Sequence, residues 1–439
     1  MKVLGISEGY HDAAVCLIED YNIIYASHAE RYSKKKNDAK LSSHQIPTDY
    51  DKIVFYEKGF LKNTRRIYSG QGWKSVKPTL KHNISFNHHW SHAAASYYTR
   101  PFSEEPVCVV IDAIGEWDTA SIWYKKKKIW SMKYPESLGL FYSAATKSIG
   151  LKPNEDEYIT MGMSAFGSPI YEYDPLINYH KGGNFIGKES DVAASVQSIL
   201  EIEILKIMKK ARKYSAHLCY GGGVALNCIA NSKIKLMFDN MWIMPNPGDA
   251  GSSLGAAASY IDKPLNWIDP YLGYNIKKNI NVKEVVKYLI DNSYCGIANG
   301  RAEFGPRALG NRSLIADPRI DIKDTINKIK KRQAFRPFAP AILSEFANEY
   351  FDGPMNEYMQ YVAKAKHDYD SVSHIDGTAR VQVVKSNCKS ILRPILEEWY
   401  EQTKCPMLLN TSLNIKGMPM VNDEKDSHKF ESTYNVKVF

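Results

Sequence analysis

Three short apolar runs open the chain, Val3 to Ile6, Ala13 to Ile18 and Ile23 to Ala26, with a turn through Gly9 after the first. Runs of this length, rich in β-formers and bounded by turn residues, predict a β-meander. The figure returns at Val107 to Ile111, Thr119 to Tyr124 and Ile129 to Met132, with Gly115 matching Gly9 and Asp118 matching Asp12 at one offset. Repetition on this scale predicts two related lobes closing on a ligand. A glycine in each turn lets backbone N–H groups approach phosphate oxygens.

Elsewhere the period lengthens. Val192, Val196, Ile199, Ile202, Leu205 and Met208 recur every three or four residues, which predicts a scaffold helix. Lys209, Lys210, Arg212 and Lys213 stand at the end where the helix dipole favours cations. Strand-like His217 to Tyr220 then runs into Gly221-Gly222-Gly223, and a helix is predicted from Asn227. Asn246 to Ala258 repeats the theme, with Asp249 in a glycine-rich turn before a small-residue helix. Asp249 either caps that helix or offers a hard oxygen to a metal. Residues 50–86 read as mixed structure and 135–190 as an irregular helical insertion. Pro264, Trp267, Pro270 and Gly273 interrupt the pattern, so two domains are expected, 1–262 and 263–439.

The densest chemistry lies in Asn87-His88-His89-Trp90-Ser91-His92, followed by Ala93-Ala94-Ala95. If Asn87 caps a helix, His88 and His92 stand on one face and can share a metal ion. A polar helix start whose histidines bind only carbonyls and water is the competing reading. His89 points to another face and is a candidate general base or a hydrogen-bonding support.

Composition adds limits. Hydrophobic residues at 44% and charged residues at 24% of 439 describe a globular chain. No apolar run approaches the roughly 20 residues of a membrane helix, and no signal-peptide pattern opens the sequence, so no membrane and a cytoplasmic address are expected. The seven cysteines are scattered and never spaced as CxxC, which speaks against a disulfide framework or a zinc ribbon. A net charge of +9 suits an anionic substrate or partner. In the second half, Gly300 to Ser313 sets Arg301, Arg307 and Arg312 among loop glycines, and Arg336 sits in Phe335-Arg336-Pro337-Phe338-Ala339-Pro340. Arginines in loops stiffened by Gly and Pro suit bidentate capture of an anion, with structural ion pairing as the alternative. Asp376 to Gln382 and Leu409 to Asn414 are further polar clusters for a cleft.

Taken in order, His11-Asp12-Ala13-Ala14, Glu30 to Ser33, Asn87 to His92, Asp112 with Gly115 to Thr119, Gly222 to Cys228, Gly248 to Gly251, Glu303 to Ser313, Arg336 to Pro340, Asp376 to Gln382 and Asn410 to Ser412 resemble the O-carbamoyltransferases. That family includes nodulation-factor, cephalosporin and aminoglycoside carbamoyltransferases, and its first domain is related to threonylcarbamoyl-adenosine tRNA-modification enzymes. The resemblance implies an α/β fold, an actin- and sugar-kinase-like duplicated β-meander domain followed by a smaller α/β carbamoyltransferase domain.

It also implies a reaction. Carbamoyl phosphate would be held by Lys36, Arg307 and Arg336 where the domains meet, with His11 nearby, and be cleaved to carbamate. Carbamate would attack ATP to give carbamoyl-adenylate, from which an acceptor hydroxyl displaces AMP. His88, His92, Asp112 and Asp249 would hold a divalent metal, Fe2+ foremost, with Mn2+ or Zn2+ as alternatives. Gly115, Gly221, Gly222, Gly223, Asn227 and Asp249 would receive ATP, and His11, His89 and Lys36 would serve catalysis. The acceptor would be a small-molecule alcohol or sugar, or a hydroxymethylated base in DNA or RNA; a homodimer is an open option. A nucleotide-binding tRNA-modification subunit is the alternative function. Ala113 stands where relatives show glycine, and Ile159-Thr160 where they tend to show a basic residue, in an insertion expected to shape the acceptor pocket.

Overall fold

The computed structural model describes residues 1–74 and 78–439; residues 75–77, within the stretch 50–86 discussed above, lie outside the described residues. The chain divides into two compact units, Met1–Ala29 with Asn37–Ile268, and Glu30–Lys36 with Asp269–Phe439. The main division falls slightly beyond the expected 262/263 boundary. Segment 30–36 departs from expectation altogether, because it belongs with the second unit. Buried Arg31 donates to the Val421 carbonyl at 3.3 Å, a partner 390 residues away, and Lys34 pairs with Asp426. Contacts so distant in sequence leave no local pattern.

The first unit holds two five-stranded sheets. One is built from β1 (Lys2–Ser7), β2 (Ala14–Glu19), β3 (Asn22–His28), β4 (Lys52–Phe55) and β5 (Ile84–Ser85), the other from β6 (Val107–Ile111), β7 (Asp118–Tyr124), β8 (Lys127–Lys133), β9 (His217–Gly221) and β10 (Asn240–Ile243). Their orders are β3-β2-β1-β4-β5 and β8-β7-β6-β9-β10. In each, three antiparallel strands are extended by two parallel ones. The meander expected twice from the apolar runs is therefore present twice, with the same topology.

Five helices of this unit matter here: α1 (Gly59–Tyr68), α2 (His88–Thr99), α3 (Glu189–Arg212), α4 (Cys228–Lys235) and α5 (Ser252–Ile261). The predicted scaffold helix is α3, but its buried stripe is Val192, Val196, Leu200, Ile204, Ile207, Met208 and Ala211, while Ile202 is 51% exposed. Steps of three, as in 199, 202, 205 and 208, fall about 60° short of a full turn each and walk around a straight helix. Only a mixture of threes and fours stays on one face.

Helix α5 is the hinge pin of the unit. Its Ser252 to Ser259 are all buried, and they are Ser, Gly and Ala apart from Leu254. A Cβ on Gly255 would lie 1.7 Å from the Ser91 carbonyl oxygen of α2, and one on Gly5 of β1 would lie 1.9 Å from the Ser253 carbonyl oxygen. The helix thus touches α2 on one side and β1 on the other through bare backbone. Such close approach is what its small-residue sequence permits.

The second unit is organised on a sheet of β11 (Tyr294–Ala298), β12 (Arg312–Ala316), β13 (Ala339–Leu343), β14 (Gln382–Val384) and β15 (Met407–Ser412), in the order β11-β12-β15-β13-β14. Alternate residues serve opposite faces. Ile315, Ala341 and Leu408 pack with α6 (Val282–Asn292) and α7 (Leu392–Thr403), while Leu314, Ala316, Ile342, Met407 and Leu409 form a second core. Among the described residues no helix is long and apolar enough to cross a membrane. All seven cysteines are free thiols, six of them buried.

The backbone contact at Gly255 sets a test. Gly255→Ala should cost about 3 kcal/mol in urea unfolding, since the new methyl meets a carbonyl oxygen that cannot move alone. Gly59→Ala, where a Cβ meets nothing within 4 Å, should change stability by no more than about 0.5 kcal/mol.

Candidate metal centre and anion site

Helix α2 begins as its sequence suggests. The Asn87 side chain accepts the Trp90 N–H at 3.1 Å, which satisfies one of the free donors of the first turn. His88 and His92, one turn apart, bring their Nε2 atoms within 3.2 Å of each other. Asp112 arrives from the end of β6 and Asp249 from the turn before α5. His88 Nε2 lies 3.1 Å from Asp112 Oδ2 and 3.6 Å from Asp249 Oδ1; His92 Nε2 lies 3.5 Å and 3.2 Å from the same atoms. All four ligand atoms fall within 4.8 Å of one another.

These spacings fit an ion. Four ligands at about 2.1 Å from a tetrahedral centre stand roughly 3.4 Å apart, and the separations above scatter around that value. The donor chemistry fits as well, two imidazoles with two carboxylates. His92 Nδ1 lies 3.0 Å from the Pro247 carbonyl oxygen; a carbonyl only accepts, so Nδ1 carries the proton and Nε2 is turned to the cluster. The carboxylates hold the cluster charged. Burial opposes a charge on His92, yet hydrogen bonds to Asp112 and Asp249 outweigh it and hold the imidazole up at about 10. Burial likewise works against ionised Asp112 and Asp249. Hydrogen bonds to His88 and His92 keep Asp112 well below the carboxylate range, and the charge of His88 with the hydrogen bond to His92 keeps Asp249 at about 2. A dication would take the place of the proton now shared among these groups.

Asp249 does not cap α5; its carboxylate faces His92. The acids matched by the repeat are a different matter. Asp118 is buried and pairs with Lys128 at 2.6 Å, and Asp12 hydrogen-bonds His11 Nδ1 at 2.9 Å. The acid that completes the cluster is Asp112, outside the repeat. His11 sits at the rim, its Nε2 3.9 Å from Asp249 Oδ2; against the cost of burial, Asp12 and Asp249 raise it to about 9.

The glycines shape this cluster. A Cβ on Gly115 would lie 2.8 Å from the His88 ring, and one on Gly222 would lie 2.2 Å from the Ile111 carbonyl oxygen. Gly222 also has φ +91°, and a Cβ on Gly221 would come within 3.0 Å of the His92 carbonyl oxygen. Gly223 N–H donates to Asp112 Oδ1 at 3.1 Å. The glycine run thus folds over the end of β6 and holds the ligand carboxylate. Asn227 corrects an expectation. Its side chain caps α4 at Ala230 N–H and exchanges hydrogen bonds with Gln197, so it is not directed at a nucleoside. His89 corrects another. Only 1% exposed, it holds Ser121 Oγ at 2.8 Å, and burial drives its pKa well below the usual value. Of its two expected roles, hydrogen-bonding support is the one this geometry shows.

Two residues were missed in sequence. Glu116 Oε1 accepts from the His88 N–H at 3.2 Å and the Lys58 N–H at 2.6 Å, and Glu57 Oε2 lies 3.8 Å from His88 Nδ1. Only the position of Glu116 within Gly115-Glu116-Trp117-Asp118 could have marked it.

In the second unit the arginines separate by role. Fully buried Arg312 donates to the carbonyls of Tyr274, Asn299, Gly300, Asn311 and Asn422, and Arg301 donates to those of Leu272 and Gly273. Both are structural. Arg307 and Arg336 are half-buried in loops that lead into β12 and β13. These strands flank β15 and both run antiparallel to it, with Ser313 opposite Ser412 and Ala339 opposite Asn410. Both loops therefore enter at the sheet end where β15 presents Asn410 to Ser412. Parallel β14 begins there too, bringing Arg380 and Gln382. Gln382 Nε2 donates to the Leu309 carbonyl at 2.9 Å and Asn410 Nδ2 to that of Ala308 at 3.1 Å, which pins the Arg307 loop. Lys36, expected on the same anion, is held by Glu30 at 2.8 and 2.9 Å.

Comparison with known proteins agrees with this division of labour. Residues 52–185 and 177–258 match the carbamoyltransferase N-terminus model, and 286–439 match the carbamoyltransferase C-terminus model. An uncharacterized protein of Synechocystis sp. is 30% identical over 97% of this chain and 93% of its own, and one of Methanocaldococcus jannaschii is 31% identical over 97% and 95%. Nodulation protein NolNO of Sinorhizobium fredii is 28% identical over 95% of this chain and 76% of its own. Among solved structures, the ADPNP-bound activator of 2-hydroxyisocaproyl-CoA dehydratase from Clostridium difficile aligns with 60% of this chain and 95% of its own at 13% identity and a TM-score of 0.38. So loose a superposition says nothing of ligands. By both family models, which together span most of its length, the chain is a transferase that belongs to the carbamoyltransferase family.

Proposed function

We propose that the protein is an ATP-dependent O-carbamoyltransferase that draws its carbamoyl group from carbamoyl phosphate. The observation that carries the reading is the convergence of His88, His92, Asp112 and Asp249, edged by the glycine run. Carbamate is a poor electrophile, because its leaving group would be oxide or hydroxide. Activation as carbamoyl-AMP replaces that group by AMP. In balanced form, carbamoyl phosphate and water give carbamate and phosphate; carbamate and ATP give carbamoyl-AMP and pyrophosphate; an acceptor alcohol then gives the O-carbamoyl ester, AMP and a proton.

Arg307 and Arg336 are assigned to the phosphate of carbamoyl phosphate, as guanidinium forks at one end of a rigid sheet. Lys36 joins them only by leaving Glu30. Gly115 and Gly221 to Gly223 leave room for ATP to approach backbone N–H groups beside Asp249. A divalent ion on the four ligands, Fe2+, Mn2+ or Zn2+, would neutralise phosphate charge and stabilise departing AMP. His11, at the cluster's rim and 30% exposed, is assigned to catalysis there as a cation, held protonated against burial by Asp12 and Asp249, that offsets developing phosphate charge. The match of 286–439 to the carbamoyltransferase C-terminus favours this over a tRNA-modification subunit, which has no use for such a domain.

Two outcomes follow. Purified protein should carry one transition-metal ion per chain by mass spectrometry of its elements; His92→Ala and Asp112→Asn should each lower that content at least about tenfold, and Asp12→Asn should leave it unchanged. Release of AMP from ATP should require carbamoyl phosphate, and Arg307→Ala or Arg336→Ala should raise its KM about 10- to 100-fold, the worth of one charge-assisted hydrogen bond. AMP release indifferent to carbamoyl phosphate would refute the assignment.

A further inference from the structure

Helix α1 is folded inside out. It buries Lys62, Asn63 and Arg65 and turns Phe60, Ile67 and Tyr68 to solvent, at 69%, 55% and 68% exposure; Trp73 follows at 58%. The burial of its polar side is explained. Lys62 Nζ pairs with Glu57 at 2.7 Å, and Arg65 Nε donates to the Glu116 carbonyl at 3.3 Å. Its apolar side is not, for an exposed aromatic cluster is the usual mark of a recognition surface. Phe60 and Trp73 stand edge to face with ring centroids 6.4 Å apart.

Charge points to the occupant. Residues 57–81 contain seven Lys and Arg and one acid, Glu57, which is itself buried against Lys62. With Lys62 and Arg65 turned inward, Lys58, Arg66 and Lys74 are the cations of the outward face of α1 and its end. Lys58 and Lys74 are exposed, next in sequence but one to Phe60 and next to Trp73 respectively, and half-buried Arg66 lies on the same helix with its buried Nε unpartnered. Aromatic faces interleaved with cations match the stacked bases and phosphates of a single-stranded polynucleotide. A second copy of the chain would set like charge on like across a twofold axis. A protein partner would have to desolvate lysines, which interface cores avoid, whereas phosphates meet them in water.

Position adds meaning. The Glu116 carboxylate that accepts the Lys58 N–H at the start of α1 also accepts the His88 N–H, so this face begins one carboxylate away from the metal centre. We propose that the outward face of α1, with Phe60, Tyr68 and Trp73 among Lys58, Arg66 and Lys74, binds single-stranded nucleic acid beside that centre. The binding stands apart from the transferase reading and is measured separately from it.

The test is fluorescence anisotropy of labelled oligo(dT) and oligo(U) with the full chain between 50 and 200 mM salt. Binding should weaken with salt, with a logarithmic slope near −2 if about three phosphates are neutralised. Phe60→Ala and Trp73→Ala should each weaken it at least about fivefold, and Lys58→Gln should make the slope shallower by about 0.7. The two arms decide between DNA and RNA. Because these side chains are exposed, thermal unfolding and carbamoyl-phosphate-dependent AMP release should not change in the variants. No binding of either oligonucleotide at 50 mM salt, or binding indifferent to Phe60→Ala and Trp73→Ala, overturns the proposal. So does self-association by sedimentation that these substitutions abolish without any oligonucleotide binding.

Discussion

The contact on which the first unit depends is the bare approach of α5 to α2, where Gly255 lies against the Ser91 carbonyl. His92 is fixed on α2, and Asp249 on the turn that leads into α5. Their 3.2 Å separation therefore follows from a helix spacing that any larger side chain at position 255 would widen. Gly222 and Gly223 act in the same sense on Asp112, and Gly115 on His88. Small residues here do not supply flexibility; they set how near two backbones can come, and so how near their ligands stand.

Buried charge is managed differently in the two units. Around the histidines, acids and imidazoles offset one another and remain able to exchange a proton for a cation. Arg312 is instead surrounded by carbonyl oxygens, which satisfy its donors without an opposite charge, and burial lowers its pKa to about 10. Such an arginine has no capacity left for a ligand. Arg307 and Arg336 differ from it in lying half-buried in the loops that lead into β12 and β13.

Much of this was visible one residue at a time. The β-meanders, the Asn87 cap and the pairing of His88 with His92 are local, since each follows from spacing within a turn or a strand. Expectations failed where a side chain's surroundings came from elsewhere. Asn227 looked available for a nucleoside until Gln197, from α3, took its amide. His89 looked free because it left the face of His88, yet that direction leads into the core against Ser121.

The sequence by itself determined which elements form and which chemical groups they carry, because helix period, strand alternation and capping act over a few residues. Tertiary structure alone decided which groups meet. It chose Asp112 over the repeated Asp118, tied Arg301 and Arg312 to backbone carbonyls while leaving Arg307 and Arg336 half-buried in loops, drew segment 30–36 into the second unit and turned the aromatic side of α1 outward. Each of these choices rests on contacts between residues tens to hundreds of positions apart, whose energies depend on the packing of the whole unit and leave no mark on neighbouring positions of the chain.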